Sequence, residues 1–174
     1  LTFAGLYPHK VKRLMVFNSV SYTTSLLSNT GKLWNDAALA RNSKEYYELT
    51  IPIIYSKNFM KENSEWIEQR KEFLINHVFN QETFLDRMIR LTNSADNYDC
   101  RSYIQNITMP TLIIGSEKDA LTPISHQQHL QSQLPNASLV IIPNAGHASM
   151  YEEPMIFISL ITGFMQLKKD SYLI

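Results

Sequence analysis

Cysteine is nearly absent: Cys100 is the only one in 174 residues. No internal disulfide can form, and a reducing, cytoplasmic location is expected. Excess charge of either sign is missing too, since sixteen Lys and Arg match sixteen Asp and Glu. That balance excludes the basic stripe of a nucleic-acid-binding protein. No apolar run approaches the ~18 residues that a membrane span requires. The opening, Leu1-Thr-Phe-Ala-Gly-Leu-Tyr-Pro8, has neither a charged n-region nor a small-residue cleavage site, so it is not read as a secretory signal. It reads as the tail of a helix already in progress, and a further N-terminal portion is expected. Glycine is scarce, with Gly31 alone between residues 21 and 107, where aromatic and charged residues fall at helical spacing.

What is present is ample apolar material. Hydrophobic residues make up 44% of the chain and charged residues 18%, which excludes disorder and allows one core, or a core with a small insert. Lys12 to Asn18 is a short run with an apolar centre, as in a buried strand of a parallel sheet. Met109 to Gly115 and Ala137 to Ile142 are further strands, with Pro110 tolerable only near a strand start. Between them, Pro123 to Leu134 reads as a helix, and Pro154 to Leu167 as an amphipathic one. Trp66, Ile67, Arg70, Phe73, Leu74, His77 and Val78 keep a 3.6-residue period, which predicts a helix over 65–78. Phe84 to Leu91 repeats the pattern, and Trp34–Leu39 and Tyr46–Ile54 are weaker helices, the last interrupted near Pro52. Three strands separated by helical matter predict a parallel α/β sheet covered by helices.

In open parallel sheets, reactive residues gather beyond the carboxyl ends of the strands. Two such segments carry acid–base groups: Ser116-Glu-Lys-Asp119-Ala-Leu-Thr-Pro123 and Pro143-Asn-Ala-Gly146-His147-Ala-Ser-Met150. Here the sequence resembles the α/β-hydrolase family. Met109 to Pro123 is similar to that family's seventh strand and acid loop, Asn144-Ala-Gly-His147 to its final loop, and Glu153-Pro154 to the start of its last helix. The 28 residues from Asp119 to His147 leave room for the intervening helix and strand.

The resemblance implies the C-terminal part of an α/β-hydrolase sheet, residues 1–20 and 108–174, with residues 21–107 as an inserted helical cap. It implies His147 as general base and Asp119 as the carboxylate that orients it, in the family's order of nucleophile, acid, histidine. Glu117 is the rival acid. The nucleophile is the departure. No two of Gly5, Gly31, Gly115, Gly146 and Gly163 stand four apart, so the chain has no Gly-x-Ser-x-Gly elbow. By comparison with the family, the elbow lies just before Leu1. A Ser there implies an esterase, lipase, thioesterase or lactonase, an Asp implies a dehalogenase or epoxide hydrolase, and a Cys stays open.

The substrate expected is a small apolar acyl compound, an ester, thioester or lactone. Phe59, Trp66, Met88, Leu121 and Met150 are candidates to line its pocket, with packing as the plainer role of each. No cofactor or metal is implied. His126 and His129 have the spacing of two metal ligands but no third nearby, and read as a solvated helix face. His9 is placed on a surface turn, His77 in helix packing, Cys100 in a structural role and Lys168-Lys-Asp170 at an exposed end. The alternative to an enzyme is a non-catalytic fragment or interaction module. Its strand around Leu14 would leave a sheet edge open to a second copy or a complementary fragment.

Overall fold

A computed structural model of the chain describes residues 1–166. Leu167 and the run Lys168-Lys169-Asp170 lie outside the described residues. Three strands, β1 (Leu14–Phe17), β2 (Thr111–Ser116) and β3 (Ala137–Ile142), form one parallel sheet in the order β1-β2-β3. The helices are α1 (Thr2–Leu6), α2 (Ser25–Leu39), α3 (Ser43–Ile54), α4 (Lys57–Glu62), α5 (Ser64–Phe73), α6 (Glu82–Ala95), α7 (Ile124–Gln133), α8 (Ser149–Glu152) and α9 (Pro154–Gln166). No described helix is long and apolar enough to cross a membrane.

Side-chain alternation along the strands sets the layers. Val16 and Ile113 point to one face of the sheet, where they meet Ala4 of α1, Ile104, Ile107 and Leu130 of α7. Leu112, Ile114 and Ile142 point to the other, against Ile156, Leu160 and Phe164 of α9. Covered on both faces, β2 buries all six of its residues, which is why its sequence is a continuous apolar run. The strand starts at Thr111, two residues later than expected. Pro110 has no N–H to give to a ladder, and its carbonyl accepts from Leu14 N at 3.0 Å instead.

The helical stretch between β1 and β2 has its own core, in which Ala38, Tyr46, Ile51, Phe79 and Leu85 pack together. Its ends meet at a neck, where Cys100 N donates to Ser21 O at 2.8 Å and Thr23 N to Tyr98 O at 2.8 Å. Helices α2 and α3 begin earlier than apolar periodicity indicates, because polar caps start them. Thr24 accepts from Leu27 N at the head of α2, and Asn42 from Glu45 N at the head of α3.

Two expectations need correction. Helix α3 runs through Pro52 to its end, since a proline in the last turn removes one donor while Tyr55 N still bonds Ile51 O at 3.1 Å. The helix expected over 65–78 changes pitch after Phe73. Leu74–Val78 form a π-helical turn, closed by Phe79 N donating to Leu74 O at 2.7 Å.

Candidate active site

Parallel pairing puts the carboxyl ends of all three strands on one edge, and the loops that leave them meet there. The loops after β2 and β3 are stitched main chain to main chain: Glu117 N donates to Ile142 O at 2.9 Å and Lys118 N to Ala145 O at 2.8 Å. This stitching brings Asp119 and His147 together, with Asp119 Oδ2 2.8 Å from His147 Nδ1. The Asp119 side chain is fully enclosed, whereas that of His147 is 29% exposed.

Asp119 is held by more than the imidazole. Its Oδ1 accepts from Leu121 N and Thr122 N, each at 2.8 Å, and the Thr122 hydroxyl lies 2.8 Å from Oδ2. Burial works against the carboxylate's charge. The hydrogen bond and charge of His147, then the N–H and hydroxyl of Thr122, outweigh burial and hold the carboxyl below its ordinary value. An ionised Asp119 only accepts, so His147 must donate from Nδ1, and Nε2 is left as the basic nitrogen. The pair is arranged to take a proton at Nε2 and to stabilise the imidazolium that results.

Glu117 does something else. Its Oε2 accepts from Asn144 N at 2.9 Å and its Oε1 from Lys118 at 3.0 Å. The Asn144 N–H first, then Lys118, keeps this carboxyl below its usual range. Its task is to brace Asn144, which sits at φ 59, one of three non-glycine residues at positive φ among the described residues.

A cavity of about 440 Å³ opens next to the pair. Val20, Leu27, Trp34, Leu91 and Leu121 line it, and Thr122 belongs to both cavity and dyad. Leu121 therefore stands in the cavity wall beside the dyad. Phe59 and Trp66 come together elsewhere, in a cluster with Tyr55 and Tyr151, where the Arg70 guanidinium lies 5.1 Å from the Trp66 ring and 5.2 Å from that of Tyr151. Met88 packs against the core of the helical stretch, and Met150 is half exposed on α8.

Three further contributors are not singled out by sequence pattern. Thr122 is marked only by its place three residues past Asp119. Asn18, at φ 44, directly follows β1 and donates from Nδ2 to His147 O at 2.8 Å. Glu152 accepts from Gly146 N at 2.9 Å and from Ser56 N at 3.0 Å, joining the His147 loop to the helical stretch. Gly146 is needed at this junction, because a Cβ there would come within 2.5 Å of Ser56 N.

The remaining candidates fall away from the dyad chemistry. Ser116 and Ser149, the hydroxyls of the two loops, are buried, and Ser116 donates to Asn18 Oδ1 at 3.1 Å. His129 meets the Tyr22 ring edge-on, and His77 packs on Phe73. His9 lies in a short 3₁₀ turn, Pro8–Lys10, and Cys100 is buried. Among the described residues, no group of three or more His, Cys, Asp and Glu is placed to hold a metal ion.

Comparison with known proteins bears on the same segments. The sequence model of the α/β hydrolase fold matches residues 75–154, which include both loops. RutD of Pseudomonas syringae pv. syringae, provisionally named a carbamate hydrolase, is 32% identical over 80 residues, 46% of this chain and 31% of the relative. The crystal structure of MGS-M2, an α/β hydrolase enzyme from a Medee basin deep-sea metagenome library, superposes with a TM-score of 0.95 at 49% identity, covering 99% of this chain and 62% of that one. The enol-lactonase of Burkholderia xenovorans shares the fold at 15% identity, with a TM-score of 0.78 over 95% of this chain and 60% of its own. The chain spans less than two thirds of each of these three relatives. With its parallel sheet, its loops in this order and these matches, the chain has the α/β-hydrolase fold.

Proposed function

We propose that the protein containing this chain hydrolyses a small ester, thioester or lactone, with His147 as general base and Asp119 as its orienting acid. The observation that carries the proposal is the 2.8 Å contact from Asp119 Oδ2 to His147 Nδ1, made by a carboxylate whose other oxygen is saturated with backbone donors. The carboxylate fixes the tautomer, so Nε2 is free to take a proton from the nucleophile and return it to the leaving group. The nucleophile itself is assigned to a strand–helix elbow outside these 174 residues. A serine is the first choice, on the fold's general habit. Helices α2 to α6 act as a cap, and the cavity between them and Leu121 receives the acyl part. Its mostly apolar lining supports an uncharged acyl group of modest size.

The name of the RutD relatives raises a second substrate class. A carbamate carbonyl passes through the same tetrahedral geometry and asks the same two services of His147, so this reading differs in substrate and not in machinery. The test is turnover of a p-nitrophenyl ester by the complete protein and by its His147→Ala variant. The variant is expected to lose turnover by three orders of magnitude or more, about the scale of a triad deletion. Retained turnover would remove His147 from the mechanism. Parallel assays with a p-nitrophenyl carbamate separate the two substrate classes.

A further inference from the structure

We infer that Asn18 is a positioning residue that locks the Asp119 loop and the His147 loop into one rigid unit. The inference rests on the hydrolase reading above and adds a residue to it. Asn18 is the first residue beyond β1, and its N–H donates to Ile114 O at 2.8 Å, which extends the strand ladder by one bond. The chain then turns sharply at φ 44. This left-handed conformation is one that Asn adopts far more readily than most residues with a side chain.

The turn aims three polar groups at three different segments. Nδ2 donates to the main-chain carbonyl of His147 at 2.8 Å, and Oδ1 accepts from Ser116 Oγ, at the end of β2, at 3.1 Å. The Asn18 carbonyl lies 3.0 Å from Thr122 Oγ1, the hydroxyl that also reaches Asp119 Oδ2 and stands 3.4 Å from His147 Nδ1. One residue from β1 thus touches the backbone of the base and the support of its acid.

The chemistry of the amide explains why this residue type is required. The His147 carbonyl can only accept, so the group facing it must be the NH₂. The Ser116 hydroxyl can donate, so the oxygen of the same planar group belongs opposite it. Aspartate offers no donor to the His147 carbonyl. A leucine of similar shape strands both a carbonyl and a hydroxyl in a site that is largely closed to water, because Asn18 is 8% exposed and Ser116 1%. Glycine accepts the backbone angle and abandons both side-chain bonds. No catalytic atom lies on Asn18 itself. Its effect on the reaction passes through where the imidazole stands, and displacement of a reacting group by about 1 Å is enough to slow turnover about 100-fold.

The experiment compares Asn18→Gly and Asn18→Asp with the parent in the complete protein. It reads kcat and KM separately, together with the downfield proton resonance of the imidazole N–H shared with Asp119. The expected result is a fall in kcat of about 10- to 100-fold in both variants, with KM changed less than about threefold and the resonance shifted or broadened. A residue that serves stability alone would lower the melting temperature and leave kcat per folded molecule and the resonance unchanged. That outcome would overturn the proposal. Asn18→Gly keeps the backbone angle and Asn18→Asp keeps the volume, so if one variant does not fold the other decides. The hydrolase reading fails separately: it falls if His147→Ala retains turnover, whereas intact kcat in the Asn18 variants beside an inactive His147→Ala removes only the positioning role.

Discussion

The sheet half and the helical half of the chain use hydrogen bonds in opposite places. Where the loops meet at the strand ends, bonds that join distant segments are buried: Ser116 to the Asn18 amide and Thr122 to the Asn18 carbonyl lie out of solvent. In the helical half, the corresponding cross-links, Asn35 to Asn93 and Arg41 to Asp86, lie on the surface, and the interior is apolar and aromatic. Buried polar networks are directional and costly to leave unsatisfied, so they define one geometry. Apolar packing accepts many solutions of similar volume. Geometry is thus invested around the dyad, while the helical half supplies bulk and a cavity wall.

A matched pair of core truncations tests whether the two halves are separable. Ile113 in β2 and Leu85 in α6 are both fully buried, and replacing either with Ala is expected to cost about 2–5 kcal/mol in denaturant unfolding. The pair differs in what else changes. Ile113→Ala disturbs the strand that feeds the Asp119 loop, and the shared imidazole proton resonance should move with it. Leu85→Ala should leave that resonance in place. If both truncations shift it equally, the two halves are not separable in the way described.

Gly146→Ala probes the junction between them. The new methyl would meet the Ser56 backbone nitrogen at 2.5 Å and a Glu152 carboxylate oxygen at 2.7 Å, so the loop or the helical half must move. A loss of about 1–3 kcal/mol is expected, with a lower kcat, since the adjacent residue is His147. Thermal unfolding and steady-state kinetics of the complete protein would check both parts.

A pH titration isolates the buried network. Asp119 has a lower pKa folded than unfolded, so on acidification the unfolded chain binds its proton first. The stability Asp119 contributes is complete above the ordinary aspartate value, about 4, and is lost as the pH falls through the folded value. Unfolding free energy measured by denaturant should therefore decline with acid more steeply in the parent than in Asp119→Asn. Equal slopes would mean that the network does not hold the carboxylate ionised. The smallest effect belongs to the surface of the helical half. Lys32 and Asp36 pair at 2.7 Å while both remain exposed, and Lys32→Ala should change stability by less than about 0.5 kcal/mol.

The sequence made the two halves legible to different depths. β3 is legible to the residue, because β-branched residues between Asn136 and Pro143 leave little choice of boundary. Asp119 and His147 were readable because each sits just past a strand, in an order and spacing that a known family repeats. Asn18 was not, since a strand-ending asparagine looks the same whether its amide meets water or a carbonyl 129 residues away. Glu152 was invisible for the same reason. The π turn at Leu74–Val78 keeps an apolar period close to that of an α-helix, so only the backbone bonds reveal it. Helices α4 and α8, of six and four residues, are too short to display a period at all.

The sheet order also sets an order of assembly. Asp119 and His147 are separated by 28 residues and belong to the compact β2–α7–β3 unit, which can close early and cheaply. The anchor from β1 spans 129 residues and requires the whole helical stretch to be accommodated first. During refolding, the acid and base can therefore meet before they are fixed, and the final tightening of the dyad waits for a contact that closes 129 residues of chain.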